Sequence, residues 1–173
     1  MNILLMLTAL SITPQDGSLV FFENGNQFVQ NQTQSSLTHV GTIVLQAAEP
    51  WVYEAVMPKI RKIKLADYCE EIRRGNIKKN PKIKVWIANP NQTFTDEQKR
   101  EYFEYLENQL GRRYSLASYL DGRSHNGIHC CELTGNALKR LGLNYTQNSG
   151  RDDPFDVWKK TKQFYKEREL IIE

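Results

Sequence analysis

Thr38-His39-Val40-Gly41-Thr42-Ile43-Val44-Leu45 reads as a β-strand, because β-branched and apolar residues dominate it. Its one titratable side chain, His39, stands near its start. Ala48-Glu49-Pro50 turns the chain, and Trp51-Val52-Tyr53-Glu54-Ala55-Val56 reads as the antiparallel neighbour. Upstream, Thr13-Pro14-Gln15-Asp16-Gly17 is a turn that leads into the apolar run Leu19-Val20-Phe21-Phe22, a buried strand. Downstream, the stretches Ile60 to Leu65 and Ile83 to Ile87 add sheet.

Helical signals follow the strands. Asp67-Tyr68-Cys69-Glu70-Glu71-Ile72 is a helix, with Cys69 as a packing residue. Thr95 and Gln98 stand at capping-box spacing, and Tyr102, Leu106 and Leu110 then recur at helical intervals up to Gly111 as a C-cap. A loop with Gly122, Asn126 and Gly127 leads into Cys130-Cys131. From there Leu133, Ala137 and Leu141 mark a short core helix that Gly142 ends. The stretch from Phe155 reads as an amphipathic helix anchored by Trp158, Phe164 and Tyr165. The Asn- and Gln-rich segment from Glu23 to Ser36 is a surface segment able to wall a cleft. The fold class is α+β, an antiparallel sheet packed against helices, in a single domain spanning 1–173.

Composition narrows the function. Of 173 residues 40% are hydrophobic and 25% charged, as in an ordered globular chain. The net charge of +3 (23 Lys+Arg against 20 Asp+Glu) gives no case for nucleic acid, and no aromatic RNA motif or zinc-finger spacing accompanies it. The basic runs Lys59 to Lys64 and Arg73 to Lys79 are interrupted by apolar residues and read as solvated faces, with a patch for an anionic surface as the alternative. Asn2 to Ile12 is apolar but too short to span a bilayer, so no integral membrane association is expected. It is a first strand or helix of the fold, or else a trimmed export segment. Localisation, periplasmic or cytoplasmic, is left open by this, as is the oligomeric state.

The chemistry concentrates in His129-Cys130-Cys131-Glu132-Leu133. A cysteine at a helix N-terminus gains from free amide groups and the helix dipole, which favour a thiolate. Cys130 follows a glycine-bearing loop that gives it access, whereas Cys131 reads as a small buried residue. Among three histidines, His39 sits on a rigid strand able to present an imidazole to that thiol. His125 reads as solvent-facing, and His129 as pointing to a different side from Cys130 if the helix has already begun there. A third group must hold the imidazole tautomer. Glu54, acidic within a buried run, suits it, and Glu49 beside Pro50 reads as an exposed turn acid.

These stretches resemble the circularly permuted branch of the NlpC/P60 papain-like superfamily, YiiX-like proteins in particular. The resemblance runs through Asp16-Gly17-Ser18-Leu19-Val20-Phe21, Thr38-His39-Val40-Gly41, Val52-Tyr53-Glu54-Ala55-Val56, Leu110-Gly111-Arg112-Arg113-Tyr114 and Cys130-Cys131-Glu132-Leu133, covering roughly 14–143. It implies a permuted papain-like fold with Cys130 as nucleophile, His39 as base and Glu54 as the strand acid. Cys131 then takes a position where the family commonly has serine. Tyr114 and His129 are implied to line the substrate cleft. Ser18 departs from a common aspartate, and His129 from a common aromatic.

The resemblance implies acyl transfer through a thioester, with no metal or organic cofactor required. A peptidase or amidase acting on a peptide or cell-wall fragment is the first expectation. A lipid-amide or ester hydrolase or acyltransferase is the alternative, favoured if an apolar groove reaches Cys130. A catalytically silent fatty-acid or peptide-binding module is the non-enzymatic reading.

Overall fold

The computed structural model describes residues 12–121, 123 and 125–173. The expected strand or helix at Asn2 to Ile12 lies outside them, apart from Ile12, which is buried. In chain order the elements are β1 (Leu19–Glu23), α1 (Gln27–Thr33), β2 (Leu37–Gln46), β3 (Glu49–Ala55), β4 (Ile60–Lys64), α2 (Leu65–Asn76), β5 (Lys84–Ala88), α3 (Asp96–Gln109), α4 (Ala117–Asp121), α5 (Cys130–Arg140), α6 (Pro154–Thr161) and β6 (Glu169–Ile172). The strands form one six-stranded antiparallel sheet in the order β4-β3-β2-β1-β5-β6.

Alternation along the strands divides the core in two. Leu19, Phe21, Val40, Val44, Tyr53 and Ala55 join Tyr102 and Leu106 of α3, Leu133 and Leu138 of α5, and Val157 of α6. Val20, Ile43, Val52 and Ile87 instead join Leu65, Tyr68 and Cys69 of α2. Period-two side chains buried on both faces require helices on both faces, and the chain supplies them.

The local signals are physical. Thr95 and Gln98 cap α3 reciprocally, and Gly111 (φ 78°) carries the backbone past its end. Gly17 (φ 81°) makes the turn into β1, where Ser18 Oγ accepts from Gln15 N at 2.9 Å and donates to Asn89 Oδ1 at 2.6 Å. The serine hydroxyl therefore ties this turn on both sides.

Two expectations are corrected. The hairpin between β2 and β3 turns on Ala47 and Ala48, both at positive φ, with Glu49 and Pro50 already in β3; a two-residue turn matches the strand twist better than a longer one. The C-terminal helix ends at Thr161, and the chain continues into β6, whose Leu170 and Ile172 pair with β5 at the sheet edge. The segment from Glu23 to Ser36 contains α1, capped by Asn26.

Candidate active site

β2 and β3 bring His39 and Glu54 together: Nε2 of the imidazole donates to Oε2 of the carboxylate at 2.7 Å. Glu54 is 1% exposed, and an ionised carboxylate so buried needs donors on both oxygens. It has three. Tyr68 Oη donates to Oε2 at 3.0 Å from α2, and Arg61 Nε donates to Oε1 at 2.8 Å from the facing position on β4. Phe22 packs on His39 (ring centroids 5.3 Å apart) and stacks on Tyr68, holding the imidazole plane.

A separate construction delivers Cys130. The chain at Arg113 to Ser115 runs beside Gly127 and Ile128, with Ile128 N donating to Arg113 O at 3.0 Å and Ser115 N to Ile128 O at 3.1 Å. Only glycine fits at 127, since a Cβ there would lie 2.2 Å from Ser115 Cβ. Arg112 clamps the same loop by donating to the carbonyls of His125 and Asn126, each at 2.9 Å. The loop ends at His129, the N-cap position of α5, so Cys130 is the first residue of that helix.

With Glu54 on Nε2, the other imidazole nitrogen of His39 is left for a second partner; His39 and Cys130 line the same cavity, and each shifts the other's pKa. Burial pulls the His39 pKa down, but the bonds to Cys130 and Glu54 and their charges outweigh it and hold it up at about 10. Cys130 is held well below the usual thiol range. The Cys131 thiol contributes most, burial opposes it, and His129 and His39 add further stabilisation. Both shifts favour a thiolate–imidazolium pair. Glu54 stays below the ordinary carboxylate range, since His39 and Arg61 overcome its burial.

Sequence reasoning named His39, Glu54, Cys130, Tyr114 and His129, and all but Glu54 line one cavity of about 360 Å³. Glu54 stands behind His39. At His129 the helix has not begun, since this residue is the extended N-cap, and its side chain lies on the Cys130 side with Nε2 anchored 2.9 Å from Gly150 O. Cys131 also lines the cavity while 1% exposed, with its Sγ 3.8 Å from Cys130 Sγ. Glu132 instead accepts from Ser118 Oγ at 2.7 Å, tying α5 to α4. His125 pairs with Asp121, Glu49 pairs with Lys64 on the exposed surface, and Cys69 is buried in α2.

Arg61 and Tyr68 were missed. Arg61 was read within a solvated basic run, yet Arg61, Lys62 and Lys64 each pair with an acid: Glu54, Glu107 and Glu49 respectively. A hairpin register placing Arg61 opposite Glu54 is the signal that would have found it. Tyr68 gave only a helical periodicity.

The cavity walls are mainly apolar. Phe22, Val29, Ala55, Ile83 and Leu116 contribute, and no Lys or Arg is among the described residues lining it. Phe28, Met57 and Leu120 stand at its mouth, 61%, 81% and 81% exposed.

In structure the chain is similar to metalloprotein YiiX from Escherichia coli O157:H7 (DUF1105), with a TM-score of 0.61 over 79% of this chain and 71% of that one, at 20% identity. The chain has a YiiX-like fold. No family model matches the sequence, and no curated protein matches it. No helix among the described residues of this YiiX-like chain is long and apolar enough to cross a membrane.

Proposed function

We propose that the chain is a cysteine hydrolase of the permuted papain-like, NlpC/P60 type, cleaving an amide or ester of an apolar acyl group through Cys130, His39 and Glu54. The observation that carries this reading is the chain of contacts itself. A buried carboxylate takes one imidazole nitrogen at 2.7 Å, and that imidazole shares a cavity with a helix-terminal thiol whose pKa it helps to lower. The chain order, His strand and acid strand before Cys helix, is the order this reading requires.

The Cys130 thiolate attacks the acyl carbonyl carbon, and its electron pair moves to the carbonyl oxygen. The backbone N–H of Cys130, at the helix N-terminus, is placed to donate to that oxyanion. Collapse of the adduct breaks the bond to the leaving nitrogen or oxygen, which takes the proton of His39. A thioester on Cys130 remains. Neutral His39 then removes a proton from water, hydroxide adds to the thioester, and the acid leaves as the thiolate–imidazolium pair re-forms. Glu54 stays ionised throughout and holds the imidazolium.

The apolar cavity favours the lipid-like acyl reading over a peptide bearing a carboxylate, for which the described lining offers no Lys or Arg. The test is incubation with p-nitrophenyl esters and anilides of short and long fatty acids, together with peptide amides, followed by intact-mass peptide mapping. An acyl adduct on Cys130 and release of the chromophore are expected, both lost in Cys130→Ala. Turnover retained in Cys130→Ala would overturn the mechanism. A long-chain ligand bound without any adduct or turnover would favour a silent binding module.

A further inference from the structure

His129, Cys130 and Cys131 bring one nitrogen and two sulfurs within 4.8 Å of one another, all on buried side chains. The two Sγ atoms are 3.8 Å apart. A tetrahedral ion with bonds to sulfur of about 2.3 Å sets its two sulfurs about 3.8 Å apart, so these thiols already stand at the edge length of such a site.

His129 is prepared in the same sense. Its Nε2–H donates to the Gly150 carbonyl at 2.9 Å, which fixes the tautomer and leaves the Nδ1 lone pair able to bind a metal. Asp152 lines the same cavity at 3% exposure, and its Oδ2 has no hydrogen-bond partner among the described residues. Its Oδ1 is paired with Lys160 Nζ, so the carboxylate is already balanced and the site rests on its three donors. The cavity supplies the entry path.

We propose that His129, Cys130 and Cys131 form a binding site for a thiophilic divalent metal ion, Zn2+ by its donor set, whose occupancy withdraws Cys130 from acyl transfer. One imidazole and two thiolates select a soft or borderline ion over Mg2+ or Ca2+, and three protein donors leave one position open to water. Binding forms two metal–sulfur bonds and one metal–nitrogen bond, and two protons leave to solvent, one from the Cys131 thiol and one from the Cys130–His39 pair. Only the consequence for acyl transfer rests on the proposed hydrolase function.

The test titrates Co2+ alone into the metal-free chain and reads the sulfur-to-cobalt charge-transfer band and the visible bands of tetrahedral Co2+. One ion per chain is expected. Cys131→Ser should lose about half of the charge-transfer intensity and bind at least about tenfold more weakly, with Cys69→Ser unchanged. Absence of the band in the wild-type chain, or its full retention in Cys131→Ser, overturns the site. Should Cys131→Ser fail to fold by circular dichroism, alkylation of wild-type Cys130 decides instead. Stoichiometric Zn2+ is expected to protect it, and unprotected labelling overturns the proposal. Neither measurement uses a substrate, so a chain that binds Co2+ without hydrolysing anything would refute the hydrolase reading and leave the metal site standing.

Discussion

Arg61 stands directly opposite Glu54 in the β3–β4 ladder and holds its Oε1, while His39 holds Oε2. The carboxylate is therefore fixed at both oxygens and cannot swing away when the imidazole changes charge. This gives an order of severity. Glu54→Gln removes the charge that supports the imidazolium and sets an amide N–H₂ against existing donors, so kcat should fall about a hundredfold or more. Arg61→Met leaves His39 and Tyr68 in place, and its loss should be about tenfold or less. Chromogenic ester hydrolysis measures both, with circular dichroism as the folding control. A folded Glu54→Gln variant at the wild-type rate would remove Glu54 from the mechanism.

The thiolate–imidazolium pair makes a prediction with a definite sign. Cys130 is shifted down, so its thiolate persists below the ordinary thiol range, and His39 is shifted up to about 10, so its cation persists through neutral pH. Alkylation of Cys130 by iodoacetamide should therefore vary little across neutral pH, measured with chelator present. In His39→Ala one support of the thiolate is lost while Cys131 and His129 remain, so the rate at neutral pH should fall and its rise with pH should become steeper. An ordinary thiol of pKa about 8.5 is about 3% thiolate at pH 7, which allows up to about a thirtyfold difference. The weaker nucleophilicity of an acidic thiolate reduces this toward tenfold. Identical pH profiles in the two proteins would refute the pair.

What the sequence made legible follows the range of each interaction. Strand alternation in Val40 to Leu45, the Thr95 capping box and the apolar repeat from Leu133 are local, and the structure has β2, α3 and α5 there. The α+β class with an antiparallel sheet followed from them. His39 and Glu54 could be named as partners because a hairpin makes them neighbours. Arg61 and Tyr68 depended on the next register and on the docking of α2, which no local pattern encodes. The strand at Glu169–Ile172 was read as helix because the preceding amphipathic stretch overshadowed four residues whose partner, β5, lies far back in the chain. The direction of His129 hung on where α5 begins; the helix starts one residue later, and the Gly150 carbonyl anchors the imidazole.

Two glycines should respond oppositely to alanine. At Gly127 a Cβ would meet Ser115 Cβ at 2.2 Å and Arg113 O at 3.1 Å, within the crossing that positions Cys130. Gly127→Ala should destabilise the fold by about 1–3 kcal/mol through overpacking and slow alkylation of Cys130. Gly75 lies exposed within α2 with nothing within 4 Å of an added Cβ, so Gly75→Ala should stabilise by about 0.5–1 kcal/mol. Urea unfolding monitored by tryptophan fluorescence measures both. A neutral Gly127→Ala would show that the crossing relaxes without cost.

The mouth of the cavity separates acyl binding from chemistry. Met57 and Leu120 are each 81% exposed, so replacing them with serine should barely change stability. They also line the cavity that holds Cys130, where a long acyl chain leaving it would cover them. Covering an exposed Met or Leu side chain is worth about 1.5–3 kcal/mol when burial is complete, and partial cover at a rim should give about half of that. The double variant Met57→Ser/Leu120→Ser is therefore expected to raise KM for a long-chain ester by about tenfold. For an acetyl ester, which does not reach the rim, KM should stay as it is, and kcat should stay near wild type for both, because neither residue touches the reacting atoms. An equal change for short and long esters would mean that the substitutions act through the fold. Unchanged kinetics for both would mean that the acyl chain takes another path, and that Met57 and Leu120 face a different partner.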